Sequence, residues 1–134
     1  MGHNIDIVSK KNEETIAGIQ FGAFNSIKAG LIYRSLDAEI FNMGVSGSGD
    51  SREYSKADLE VALRKLKYLC GEPMEAILDT DKDDTRNLFL QFFGTSMQQH
   101  PHDSAEMKKM YQECAPFLQK AIASEAEDFI IEFY

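Results

Sequence analysis

The stretch DFIIEFY, residues 128–134, sets Phe129, Ile131 and Phe133 on one parity and Ile130, Glu132 and Tyr134 on the other. A period of two suits a strand and not a helix end. So apolar a strand must be buried, and its main-chain groups need partners. The fold therefore turns on what lies beside it. HNIDIV, residues 3–8, alternates Ile5 and Ile7 with Asn4 and Asp6. TIAGIQFGAF, residues 15–24, alternates Ala17, Ile19, Phe21 and Ala23 with smaller or polar residues. The polar run SKKNEE between them reads as the turn of a β-hairpin. Docking residues 128–134 beside this hairpin gives a small antiparallel sheet with helices packed on one face. Gly18 and Gly22 share a strand face, where a helix backbone or a neighbouring ring is expected to press close.

The sequence between these strands is helical. NSIKAGLIYRSLDAEIFN, residues 25–42, reads as a helix capped by Asn25 or Ser26, with Asp37 starting a fresh turn after a kink. Ser55 caps the most regular helix, in which Leu59, Ala62, Leu63, Leu66 and Leu69 recur at i, i+3, i+4 and i+7 spacing. Gly71 and Glu72-Pro73 end it. Arg64, Lys65 and Lys67 read as its polar side. Pro73 can open a short helix through Leu78, and a further helix runs from about Asp83 to Phe93. Asp103 and Glu106 form a capping box for the last helix, whose stripe runs from Met107 through Met110, Tyr111, Cys114, Phe117 and Leu118 to Ile122. Pro116 is expected to kink or split that helix. The fold class is α+β: one domain over residues 1–134, with the N-terminal hairpin and C-terminal strand packed against about four to five helices.

Of the 134 residues 43% are hydrophobic, enough for one buried core. Lys and Arg number 14 against 22 Asp and Glu, a net charge of -8, and the basic residues are scattered. That balance argues against a nucleic-acid partner, because phosphate tracking needs clustered cations. No apolar run approaches the roughly 20 residues that cross a bilayer, so no membrane partner is expected, and the N-terminus lacks the pattern of a secretion signal. A cytoplasmic location is expected, with Cys70 and Cys114 as reduced, inert core residues.

Chemistry-bearing residues concentrate in FNMGVSGSGDSREYS, residues 41–55, which holds three glycines and four serines. A phosphate loop needs a strand leading into the glycines and a Lys after them, and this stretch has neither. Gly44 could close the preceding helix in the left-handed conformation and leave a small-residue surface loop. Alternatively the helix N-terminus at Ser55 could take an anion, with Ser46, Ser48, Ser51 and Arg52 near it. His100, His102 and Asp103 are metal-ligand candidates, joined by His3 if the first strand passes near them. On that strand His3 shares the side of Ile5 and Ile7, so Asp6 points away from it. DTDKDDTRNLFL, residues 79–90, imitates a calcium loop but lacks its turn glycine and bidentate Glu. No acid–base pair or activated nucleophile stands out, and no cofactor is expected.

MGHNID at residues 1–6, IYRSLDAEIFNMGVSGSG at residues 32–49 and the apolar final strand together resemble a group of small uncharacterised bacterial and phage-associated proteins. Those proteins begin Met-Gly-His-Asp-Ile and carry Leu-Asp-Ala followed by Gly-Val-Ser-Gly-Ser-Gly. The similarity covers roughly the first half of the chain, with Asn4 where the group has Asp. It implies no activity, but it places His3, Asp37, Gly44, Ser46, Gly47 and Gly49 in one pattern and implies that hairpin and loop meet in space. The expected function is non-catalytic binding of a protein partner, a second copy included, with Gly44 to Ser55 in the contact surface. The alternative is a small enzyme or ligand-binding domain holding an anion or metal with His3, Asp37, Ser46, Gly47, Ser48, Gly49 and Arg52.

Overall fold

The computed structural model describes residues 3–21, 26–43, 46–71 and 104–134. Strand β1 (His3–Ser9) and strand β2 (Thr15–Phe21) form the hairpin. Helix α1 (Ser26–Ser35) and a 3₁₀ turn (Glu39–Phe41) lead to β3 (Ser51–Ser55). Helix α2 (Lys56–Leu69), helix α3 (Ser104–Ile122) and β4 (Asp128–Phe133) complete the order. The sheet is antiparallel, with strand order β2-β1-β4-β3. The last strand is thus an interior one: Ile7 lies opposite Ile131 on one side, and Tyr54 opposite Phe129 on the other.

The fold class is α+β, and the hairpin and C-terminal strand pair as the alternation requires. Strand β3 is the addition. Five residues with one buried side chain, Tyr54, leave almost no periodic signal, and SREYS reads from sequence as the end of a loop. Three α-helices are present among the described residues, fewer than the four to five expected. The expected helices at Pro73–Leu78 and Asp83–Phe93, the calcium-like run at 79–90, and His100, His102 and Asp103 lie outside those residues.

The inward parity of the sheet joins the helices in one core. Ile5, Ile7, Phe129, Ile131 and Phe133 are fully buried beside Ile32, Leu59, Leu66 and Leu118. Each such side chain contributes about 1.5–3 kcal/mol of transfer free energy. Helix α2 begins as its sequence demands: the Ser55 hydroxyl accepts the Asp58 N–H at 3.1 Å while Asp58 accepts the Ser55 N–H at 2.9 Å. Gly71, at φ +103°, follows its end. Helix α3 runs unsplit through Pro116. That proline removes the hydrogen bond to the Gln112 carbonyl on an exposed side of the helix, where water can satisfy it. Burial pushes the thiols up, Cys70 to about 12 and Cys114 to about 11, so both stay protonated and unreactive. No helix among the described residues is long and apolar enough to cross a membrane.

The single helix expected over residues 25–42 divides in two. The Ala38 N–H donates to the Tyr33 carbonyl at 2.8 Å and the Asp37 N–H to the Arg34 carbonyl at 3.2 Å. This is a Schellman motif, and it puts Asp37 at the left-handed position with φ +54°. Asp and Asn are among the few side chains that tolerate this backbone, so the helix ends at Asp37, seven residues before Gly44, which lies outside the described residues.

The outward parity is mixed, with Val8 paired with Ile130 and polar residues beyond them. Asp6 stands opposite both Gly18 and Glu132. The neighbour pressing on Gly18 is the Asp6 carboxylate, not a ring: its Oδ1 would lie 2.7 Å from a Cβ built on Gly18. Burial first, then the Glu132 charge, pushes the Asp6 carboxyl above its ordinary value of 3.8. A carboxyl raised in the folded state binds its proton more tightly there than in the unfolded chain. Stability therefore falls as pH rises from 3.8 through the raised value. Asp6→Asn should raise the melting temperature at pH 7 by about 1–4 °C, as expected for relief of directly opposed like charges. The gain should vanish below pH 3.8, where both states of the wild type are protonated; thermal melts across pH check it.

Candidate functional site

Three features bring the expected site residues together around the end of β4. The first is a ladder of rings. His3 is buried, and its Nε2 lies 2.7 Å from the Tyr33 hydroxyl. The imidazole meets Phe21 edge-on at 5.2 Å and Tyr33 at 5.4 Å. Tyr33 stacks on Phe133 at 5.4 Å, and Phe133 on Phe41 at 5.0 Å. The Arg52 guanidinium caps the ladder 4.9 Å from the centre of the Phe41 ring. The ladder runs from a buried histidine to a surface arginine, and offset ring pairs of this kind add about 0.5–1.5 kcal/mol each beyond area burial. Burial alone pushes the Tyr33 hydroxyl up to about 12, so it stays protonated as a hydrogen-bond partner for His3.

The second feature is a backbone knot. The Gly47 N–H donates to the Tyr134 main-chain oxygen, the Gly49 N–H to the Phe133 carbonyl at 2.8 Å, and the Phe133 N–H to the Asp50 carbonyl at 2.9 Å. The Ser48 N–H donates to the Phe41 carbonyl at 2.9 Å, and the Met43 N–H to the Ser46 carbonyl at 3.0 Å. The Ser48 hydroxyl donates to Asp50 Oδ2 at 2.6 Å. The N–H groups of Gly47, Ser48 and Gly49, which a bound anion would need, are aimed at the protein's own carbonyls. The glycines serve this approach: a Cβ on Gly47 would lie 2.5 Å from the Phe133 carbonyl carbon and the Tyr134 oxygen, and Gly49 holds φ +86°. Hairpin and loop meet through β4, because the Tyr134 N–H donates to the Asn4 carbonyl at 2.9 Å.

The third feature is a cleft of about 180 Å³ where the end of α1, β3 and α2 converge. Asp37 and Arg52 line it with Tyr54, Asp58, Val61 and Lys65. Arg52 Nη1 donates to the Asp37 carbonyl at 2.6 Å, and the Tyr54 hydroxyl to the Leu36 carbonyl at 2.7 Å. Burial pushes the Tyr54 hydroxyl up to about 12, with Arg52 pulling it down and Asp37 and Asp58 pushing it up, so these charges surround one phenol. Lys65 is only 5% exposed. It therefore lies on the buried side of α2 and not the polar side, four residues from Val61 and Leu69 on the helix. Burial lowers its ammonium from the ordinary lysine value, and Asp37 and Glu39 partly restore it. A larger hollow of about 640 Å³ beside the hairpin turn is lined by Lys10, Lys11, Glu125, Glu127 and Asp128. Ion pairs Lys10–Glu53 and Lys56–Glu127 lie at or next to its walls, at 3.1 and 3.6 Å.

Of the expected site residues, His3 sits at the buried end of the ladder, Gly47, Ser48 and Gly49 in the knot, and Asp37 and Arg52 in the cleft. Ser46 contributes its carbonyl to the knot. Sequence reading missed Tyr54, Asp58 and Lys65; the i, i+4 spacing of Val61, Lys65 and Leu69 was the available signal for the last. No group of three or more metal-binding side chains is clustered among the described residues. No protein-family model matches this chain, and no curated protein and no solved structure shows significant similarity to it.

Gly47→Ala should cost about 2–3 kcal/mol, because main chain on both sides of the new methyl must move. Gly49→Ala should cost about 1–2 kcal/mol, from backbone angle alone. Urea denaturation should rank them in that order.

Proposed function

We propose that this chain is a non-catalytic binding protein whose contact surface is the corner built by the 3₁₀ turn, the Gly/Ser loop and the end of β4. The observation that carries the reading is where apolar surface is exposed. Ile40, Met43 and Tyr134, at 74%, 64% and 46% exposure, are the large apolar side chains left exposed among the described residues. All three belong to the segments that the knot ties together. Apolar side chains held outward on a braced backbone add little backbone entropy cost on binding, which favours a contact surface over a chance exposure.

The occupant is a second copy of this chain. At a net charge of -8 two copies repel each other over most of their surface. Residues 41–49, FNMGVSGSG, carry no charge, although Glu39, Asp50 and Glu132 flank them, so this run is where like-charged copies can approach most closely. Sedimentation equilibrium from micromolar to millimolar concentration should show a reversible dimer. Ile40→Glu with Met43→Glu should weaken it by at least tenfold, about 1.4 kcal/mol, and leave the melting temperature of the monomer nearly unchanged because both positions are exposed. A strictly monomeric wild type, or a dimer indifferent to the double substitution, would overturn the assignment.

A further inference from the structure

The geometry points to the cleft between α1, β3 and α2 as a binding site for a small zwitterion: a molecule of free α-amino-acid size, with a carboxylate at one end and an ammonium at the other. Size sets the first limit. A volume of about 180 Å³ is room for about six waters at roughly 30 Å³ each, which suits a small amino acid.

Charge sets the second. Two cations, Arg52 and Lys65, and two carboxylates, Asp37 and Asp58, line the cleft. Glu53 also lines it, but its carboxylate is turned to Lys10 at 3.1 Å. A phosphate entering here would face Asp37 and Asp58, and a simple cation would face Lys65 and Arg52. Arg52 gives only Nη1 to the Asp37 carbonyl and Asp58 only Oδ2 to the Ser55 N–H, so a ligand bearing both charges can meet the remaining donors of one and the second oxygen of the other, its dipole aligned with theirs.

Two costs to stability meet at this cleft. A lysine 95% buried on the core side of α2 is more expensive than a Leu or Met in the same place. Asp37 holds a left-handed backbone that Gly would hold without strain. Each departure taken singly is ordinary; their convergence on one concave, charge-balanced wall is what a binding site requires and a core does not.

The test uses the whole chain and defined probes: glycine, L-alanine, L-serine and L-glutamate, with acetate and methylammonium as one-ended controls. Thermal melts should show a rise of about 4 °C for at least one amino acid at tenfold its dissociation constant, and none for either control. In calorimetric titrations Lys65→Met and Asp37→Asn should each weaken that ligand at least tenfold. Asn tolerates the left-handed backbone, so the second variant keeps the fold should the first fail to form. Val61→Phe, which fills the cleft, should abolish binding. The proposal is overturned if no amino acid raises the melting temperature, if acetate or methylammonium alone matches the effect, or if binding survives in the Val61→Phe and Asp37→Asn chains.

Discussion

The placement of β4 between β1 and β3 is the constraint on which the rest depends. Without it the hairpin has a bare inner edge, β3 has no neighbour, and Phe129, Ile131 and Phe133 have no apolar surroundings. Five of its residues pair with β1 and five with β3, so one segment satisfies main-chain groups along two fronts. The position of β3 in turn fixes the start of α2, since Ser55 ends the strand and caps the helix. The loop at residues 46–50 is held down by the last residues of this strand, and the ring ladder passes through its Phe133. Packing, sheet order and the candidate site all depend on the same central strand.

Much of this was legible in the residues because it rests on strong, regular signals. The two alternating segments of the hairpin, the alternation at 128–133 and the i, i+4 stripe of α2 each repeat often enough to specify an element. What escaped was short or depended on distant contacts. Strand β3 buries one side chain, so its identity comes from β4 and not from its own pattern. The break after Ser35 is set by the left-handed backbone at Asp37, a residue type that sequence reading assigns more readily to a surface turn. Lys65 looked solvated beside Arg64 and Lys67, although helical geometry turns it about a hundred degrees from the first and about two hundred from the second. The glycines of the loop invited a ligand reading. Their use is a close approach of two backbones, something only the pairing partner reveals.

The proposed corner and cleft differ in the chemistry of their walls. The corner carries Ile40, Met43 and Tyr134 exposed between the charges of Glu39, Asp50 and Glu132, with its backbone donors turned inward to carbonyls. The cleft is polar and concave, with both signs of charge on its walls. Arg52 belongs to both: its guanidinium lies over Phe41 on the corner side and donates to the Asp37 carbonyl at the cleft. A change in how Arg52 is held would be felt on both sides, since its planar guanidinium cannot reorient for one partner without moving from the other.

The register that pairs Ile5 with Phe133 also has a kinetic consequence. Nearly the whole described chain must be gathered into a closed loop before the central ladder can form, and the entropy of that closure is lost before the contacts repay it. The helices and the hairpin, built from local contacts, can form earlier. Until the final segment slots in, β1 and β3 each present an open hydrogen-bonding edge beside uncovered apolar surface, the arrangement that lets one chain recruit a strand from another. The same central insertion that unifies the native sheet makes its assembly a late, all-or-none event, and makes a swapped final strand the natural misfolding error of this architecture.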